Sequence, residues 1–311
     1  DECGLMFPII PANSVTAAVA SENDEGIFGF GTTSGGGGIV SITNLVSNAG
    51  VVASDTVGVG TARRRLAACE YGGDKGIFGF GQDGGGYSST TNLVSNTGVV
   101  ASDQAATTGT ARSNSSACGY GGDKGIFGYG YASGNVSMTN LVSNAGVVSS
   151  DVAGVGTARG SEGMATQYGG DKGIFAYGYA SGPVSMSNLV SNAGVVSSDV
   201  AGVGSARHSL AACSYGGDKG IYGYGVDVSS YQSITNLVSN AGVVSSDVSG
   251  VGSARAYLAA CEYGSDKGIF GYGYISASQS ITNLVSNAGV VSSDVAGVGT
   301  ARYSPTACSF N

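Results

Sequence analysis

Short apolar and β-branched runs alternate along this chain with clusters of Gly, Asn, Ser and Asp. Residues 208–255 show the pattern, with LAACSY, KGIYGYG, QSITNLV and GVVSSDV reading as four short strands, a to d. β-branched and aromatic residues favour strands, and the Gly-Gly-Asp and Ser-Asn-Ala-Gly steps between them suit tight turns because Gly and Asn tolerate positive φ. Four strands joined in this way predict one antiparallel blade. In strand b, written KGIFGFG at residues 75–81, strict alternation puts Phe78 and Phe80 on one side and Ile77 and Gly79 on the other. The aromatic pair recurs as Phe28/Phe30, Phe127/Tyr129, Phe175/Tyr177, Tyr222/Tyr224 and Phe270/Tyr272, with Gly or Ala between its members. Such a sheet can stack on copies of itself, ring into glycine hollow.

The same pattern returns six times. Arg preceded by Thr-Ala or Ser-Ala stands at 63, 112, 159, 207, 255 and 302, spaced by 47 to 49 residues, and Asn-Leu-Val-Ser-Asn begins at 44, 92, 140, 188, 236 and 283. A fixed period of this length marks a repeat array. The fold expected is all-β: a six-bladed β-propeller of four-stranded antiparallel blades, forming a single domain over residues 1–311. Its units run over 15–63, 64–112, 113–159, 160–207, 208–255 and 256–302, with 1–14 as an N-terminal extension and 303–311 as a closing strand. The alternative is a linear β-repeat array, although solenoid coils are usually about half as long. Segments resembling strand a occur seven times, one more than the others. Residues 304–310 are expected to close the ring by pairing with the first b strand, Gly26 to Gly31, leaving Ser14 to Ser21 either to lie over the ring or to add to a neighbouring molecule.

Composition agrees with this pattern. The 56 glycines and 4 prolines punctuate a chain that is 42% hydrophobic, enough apolar surface to exclude a disordered polymer. The order Arg63, Ala67-Ala68, Tyr71-Gly72, then Ile77-Phe78-Gly79-Phe80-Gly81 resembles a kelch-type repeat. It departs from that pattern in having Gly-aromatic-Gly where kelch repeats carry adjacent glycines, and in lacking Trp. The chain is also similar to the highly self-similar repeat proteins of environmental bacterial and viral sequences. Its length and glycine-aromatic pattern resemble regulator-of-chromosome-condensation repeats as well, which usually build seven blades.

Charge narrows the partners. A net charge of −8 with few charged residues argues against nucleic acid or an anionic membrane as the main partner, since both demand a basic patch. No apolar run approaches the roughly 20 residues of a membrane-spanning helix, so no membrane insertion is expected. The first residues are Asp-Glu-Cys rather than Met, compatible with a processed, exported precursor. Lys occurs only in the Asp-Lys-Gly turns at 75, 124, 172, 219 and 267, and Arg only at the six repeat positions plus Arg64 and Arg65. Twelve of the 21 acids are likewise repeat-fixed, the place of framework groups rather than of a catalytic site. The one histidine, His208, cannot build a triad, a multi-histidine metal site or the copper site known on a kelch ring. No catalytic residue, metal or cofactor is expected. Asp83, Glu162 and Asp227 are unit-specific acids, and a glycosidase pair among them is the route to an enzyme. Five of the six cysteines share one position on strand a and read as buried thiols. Cys3 is the exception, and its candidate disulfide partner is Cys308.

The units differ mainly in two connections, b to c and the stretch after the repeat Arg, which emerge on one face of an up-and-down blade. Variable loops on a rigid scaffold suit recognition. That face would present Tyr87, Tyr131, Tyr179, Tyr231, Tyr257, Tyr274 and Tyr303 with Gln82, Asp83, Asp227, Gln232 and His208. Tyrosine offers an apolar plate and a hydroxyl to a sugar or a protein surface. The ligand-binding candidates are Tyr87, Tyr131, Tyr179, Tyr231, Tyr274, His208 and Asp227. Two sequons on the same face make Asn114 and Asn135 candidate glycosylation sites. The expected function is therefore a non-enzymatic structural and recognition protein, outside a cell or on a virion, binding protein or glycan. The alternatives are a filament, shell or coat protein assembling with itself through the surplus strand and, third, a secreted glycan-active enzyme.

Overall fold

The computed structural model describes residues 24–33 and 38–311; Cys3 and Ser14 to Ser21 lie outside them. The described residues form strands and turns without helices, grouped in six three-stranded antiparallel sheets. The middle strand of each sheet is Glu25–Gly29, Lys75–Gly79, Lys124–Tyr131, Lys172–Ala176, Lys219–Gly223 or Lys267–Gly271. It pairs on one side with the Thr-Asn-Leu-Val (or Ser-Asn-Leu-Val) strand and on the other with an inner strand: Ala67–Tyr71, Ser116–Tyr120, Ala165–Tyr168, Ala211–Tyr215 and Ala259–Tyr263 for blades two to six. The inner strand of blade one is Thr306–Phe310, in register from Glu25↔Phe310 to Gly29↔Thr306. The six inner strands touch in cyclic order, blade six meeting blade one and blade one meeting blade two. The chain is an all-β, six-bladed propeller.

The outermost segment, d, is held by pairs of isolated bridges, such as Val142↔Val148 and Thr139↔Val152, rather than by a continuous ladder. A side chain accounts for the interruption. Asn140 donates from Nδ2 to the Ser149 carbonyl (3.0 Å) and to Asp151 Oδ1 (2.9 Å), so an amide occupies a place that a ladder bond would take.

Strand b departs from strict alternation. The second aromatic of each pair has a left-handed backbone (Phe80 φ 62, Tyr129 φ 59), and the register in blade three shifts between Gly128 and Gly130. This local twist sends the two rings to opposite neighbours, not to one side as alternation predicts. Phe78 meets Phe30 of blade one at 5.3 Å between centroids, while Phe80 meets Phe127 of blade three at 5.1 Å. The pairs continue through Tyr129–Phe175, Tyr177–Tyr222 and Tyr224–Phe270 to Phe28–Tyr272, a complete circuit. Each such pair is worth about 0.5–1.5 kcal/mol beyond its area burial. The glycine hollow is real: a Cβ on Gly79 would lie 2.7 Å from Phe127 Cζ. The cysteines pack in the same manner, the Cys69 sulfur lying where a Cβ on Gly125 of the next blade would intrude. Cys69, Cys118, Cys213, Cys261 and Cys308 are buried free thiols, and burial pushes the Cys118 thiol up to about 12.

The repeat arginines are all fully buried. Arg112 lies 4.0 Å above the Phe80 ring of blade two and bonds blade three through Nε to the Tyr129 carbonyl (2.9 Å) and through an Nη to Asn140 Oδ1 (2.7 Å). Two residues earlier, Thr110 donates its N–H (3.1 Å) and hydroxyl (2.6 Å) to Asp151 of blade three. The remaining boundaries repeat this clasp as Thr61–Asp103, Thr157–Asp199, Ser205–Asp247, Ser253–Asp294 and Thr300–Asp55, the last closing the ring. On the face of the a-to-b turns, Gly72 N–H donates to the Asp123 carbonyl of the following blade at 2.7 Å, and the series ends with Asn311 donating to the Asp74 carbonyl at 3.0 Å.

Two outcomes follow from this packing. Gly79→Ala must push the Phe127 ring aside and should cost about 1–3 kcal/mol in denaturant unfolding. Gly84→Ala, in open space on a loop, should stay within about 0.5 kcal/mol; equal effects would contradict the hollow. The second concerns acid. Burial by itself would raise the Asp151 carboxyl, but hydrogen bonds from Thr110 and Asn140 and the charge of Arg112 hold it below its ordinary value, and the five equivalent aspartates are shifted alike. A depressed folded-state pKa gives stability that is present above the unfolded value of 3.8 and is lost as pH falls through the folded one. Circular dichroism should therefore show loss of structure below about pH 4, with Thr110→Val unfolding at a higher pH than the wild type.

Candidate functional site

The two variable connections meet as bridge pairs. The residue after the repeat Arg pairs with the one that follows the strand b aromatic-glycine step, as Arg64↔Gln82, Ser113↔Tyr131, Gly160↔Tyr179, His208↔Val226, Ala256↔Tyr274 and Thr32↔Tyr303. Both loops thus lie together on one face, around the axis.

One position further on, the chain forms a collar. Asn114 N–H donates to the Arg65 carbonyl (3.1 Å), Ser161 to Asn114 (3.0 Å), Tyr257 to Ser209 (2.8 Å), Ser304 to Tyr257 (2.8 Å) and Arg65 to Ser304 (3.4 Å). The remaining link is Ser209 N–H to the Ser161 hydroxyl at 2.6 Å. Arg65, Asn114, Ser209, Tyr257 and Ser304 all adopt positive φ between 51° and 58°, which turns each chain sharply down into its inner strand. Blade four carries one extra residue here, and Glu162 occupies it. Its side chain is 4% exposed, and its Oε1 accepts from the Ser304 hydroxyl of the opposite blade at 2.9 Å and lies 3.7 Å from Arg65 Nε. Burial pushes this carboxyl up to about 7, against the lowering effects of Arg65, Ser304 and Arg64.

Below the collar the axis is narrow. Two chambers of about 40 Å³ each, one lined largely by alanines of the inner strands and the other by their alanines, cysteines and polar residues, leave room for water only. The far end is crossed by Gln167, which donates to Glu70 at 2.5 Å, and by Ser214, which donates to Glu262 at 2.6 Å.

Above the collar lies a cavity of about 390 Å³, walled by Tyr131, Tyr179, His208 and Tyr257 and floored by Asn114, Gly160, Ser161 and Ser209, with Arg65 and Asn135 at its sides. The His208 ring stands edge-on to Tyr179 at 5.1 Å and shares a hydrogen bond with the Ser209 hydroxyl. Burial lowers its pKa, so the imidazole is neutral at pH 7. Arg65 is the single formally charged side chain among the described lining residues, 36% exposed on its side chain.

Three of the candidate ligand-binding residues, Tyr131, Tyr179 and His208, come together in this cavity. Tyr87 stands beside it through ring contact with Tyr131 at 6.1 Å. Tyr231 and Tyr274 stand outside it, in a row Tyr231–Tyr274–Tyr303–Tyr257 with centroids 5.4 to 6.5 Å apart that reaches the cavity wall at Tyr257. Asp227 caps its own loop instead, accepting from the N–H groups of Ser229 and Ser230 and from Gln232, and Asp83 does the same for Gly85 and Gly86. The two sequon residues both line the cavity; Asn135 spends its amide nitrogen on the carbonyls of Tyr179 and Ala180 at 3.1 and 3.0 Å. Arg65, Asn114 and Ser209 were legible as a set only through their common place, two residues after the repeat Arg. Among the described residues no group of three or more His, Cys, Asp or Glu is placed to hold a metal, and no helix is long and apolar enough to cross a membrane. No family model and no curated protein sequence matches the chain.

Glu162 supplies a test of the collar. A carboxyl whose folded pKa is about 7, above the ordinary 4.5, contributes stability below the unfolded value that is lost as pH rises towards the folded one. Glu162→Gln should match the wild type in thermal midpoint at pH 5 and exceed it at pH 8; the same difference at both pH values would place the carboxylate in water.

Proposed function

We propose that this chain is a recognition module that takes a glycan in the cavity above the collar. The observation that carries the reading is that a concave site of ligand size is walled entirely by positions at which the repeats differ. A cavity between about 300 and 1,000 Å³ with aromatic walls and a few convergent polar groups is the usual form of a small-ligand site. Tyrosine faces suit the apolar faces of sugar rings, and the Asn114 amide and Ser161 and Ser209 hydroxyls on the floor suit their hydroxyl groups. A glycan fits better than a protein surface because the site is a recess rather than a plateau. Binding is favoured over hydrolysis because the unit-specific acids are otherwise engaged: Asp83 and Asp227 cap loops, and Glu162 is bound to Ser304 and Arg65. The reading includes display outside a cell or on a virus particle, where glycans are met, and a kelch-like ancestry resting on the Arg, Ala-Ala and Tyr-Gly order. Self-assembly through residues 14–21 concerns a segment outside the described residues.

Glycan-array binding by the wild-type chain, lost in the Tyr131→Ala/Tyr179→Ala double variant with the thermal midpoint kept, is the expected outcome. An array on which wild type and double variant behave alike would overturn the reading.

A further inference from the structure

The cavity's charge is at odds with that of the chain. The protein carries a net charge of −8, and eleven of its 13 Lys and Arg residues are the repeat arginines and turn lysines. The two that remain, Arg64 and Arg65, are adjacent, and they sit at the collar. Arg64 reaches outward to Gln82 at 3.5 Å. Arg65 faces the cavity, where burial keeps the His208 imidazole uncharged and no second Lys or Arg and no Asp or Glu stands among the lining residues. Its one ionic partner, Glu162, lies at 3.7 Å with a buried carboxyl whose second oxygen has no hydrogen-bond partner. That separation is too long for a direct hydrogen bond, so the guanidinium fork keeps donors for an incoming group.

We infer that the cavity selects acidic sugars, with Arg65 receiving the carboxylate of a uronic-acid or sialic-acid residue whose ring lies between Tyr131, Tyr179 and Tyr257. This inference rests on the glycan reading above and specifies its substrate class. Arginine suits the task because its planar fork matches a carboxylate with two parallel N–H donors. The surrounding phenol rings and partial burial strengthen that contact relative to one in open water. A neutral hexose bears a hydroxymethyl group at the same place and gains only ordinary hydrogen bonds. Selection of acidic sugars by an acidic protein also requires the contact to be local, since the overall field repels the ligand. The affinity should therefore be governed by Arg65 rather than by net charge.

The test uses fluorescein-labelled tetragalacturonate, a hyaluronan tetrasaccharide and sialyllactose, each against its carboxyl-reduced form, in which the acid has become a hydroxymethyl group. At least one acidic probe should bind the full chain about tenfold or more tightly than its reduced form, the scale of a charge-assisted fork over neutral hydrogen bonds. Arg65→Gln, its fold checked by circular dichroism, should abolish that preference, and Glu162→Gln, which frees the guanidinium, should enlarge it. If reduced forms bind as well as the acids, or if the preference survives Arg65→Gln, the inference is overturned while the glycan reading stands. If no acidic, reduced or neutral glycan binds the wild type better than the Tyr131→Ala/Tyr179→Ala variant, the glycan reading itself falls and the inference with it.

Discussion

The structure depends on a buried arginine at each blade boundary. A guanidinium in a closed interior calls for partners to its donors and for something to face its charge, and every element of the repeat contributes to that. For Arg112 the preceding blade supplies the Phe80 ring, and the following blade supplies the Tyr129 carbonyl, the Asn140 amide oxygen and the charge of Asp151 at 4.0 Å. Desolvation lowers the guanidinium pKa to about 10, which leaves it charged at neutral pH. The three most constant markers of the sequence, Thr/Ser-Ala-Arg, the Asn of Asn-Leu-Val and the Asp of Ser-Asp, are thus three parts of one interaction between neighbouring blades. Gly156 belongs to it too: at φ 75° a Cβ there would lie 2.4 Å from Asp199. Asn140 and Asp151 bond each other within one repeat, but their other partners, Arg112 and Thr110, come from the repeat before, and so one repeat has no stable boundary without the next.

A ring built in this way places a strict demand on symmetry and leaves freedom elsewhere. The a-to-b turns interlock around one face through backbone hydrogen bonds that tolerate little change. On the other face the collar also uses backbone groups, so the side chains above it are released from framework duty. Residues that look like ordinary loop variation can therefore carry a site. The departure in blade four illustrates the coupling, because its extra residue brings Glu162 to the axis and shifts one collar link from a carbonyl to the Ser161 hydroxyl. An asymmetric cavity follows from a symmetric ring through one inserted residue and a handful of tyrosines.

Much of this was legible from particular residues. The Arg and Asn-Leu-Val spacings yield six blades, and the seventh a-like segment at 304–310 yields the strand that pairs with Glu25–Gly29. Alternation fails at Phe80 and its equivalents because the left-handed backbone there is a property of the bulge and not of residue type. The outer segment read as a full strand is only bridged, because Asn140 and its equivalents take its carbonyls. Tyr131, Tyr179 and His208 were legible as candidates through their place in variable loops. Asp227 lies apart from them, accepting from Ser229 and Ser230 in its own loop, and a carboxylate that caps its own turn and one that faces a cavity look alike in a chain of letters.

Local chemistry sufficed for the strands, the turns and the number of units, since propensity, turn residues and period act over a few positions and recur six times. The tertiary structure decided which variable residues face one another, because Arg65, Tyr131, Tyr179 and Tyr257 come from separate repeats and meet only when the ring closes. The same closure sets the charge of the cavity. Arg65 is two residues from a structural arginine in the chain, yet its ionic neighbour is Glu162 from a blade two places around the ring, a proximity that no local rule encodes.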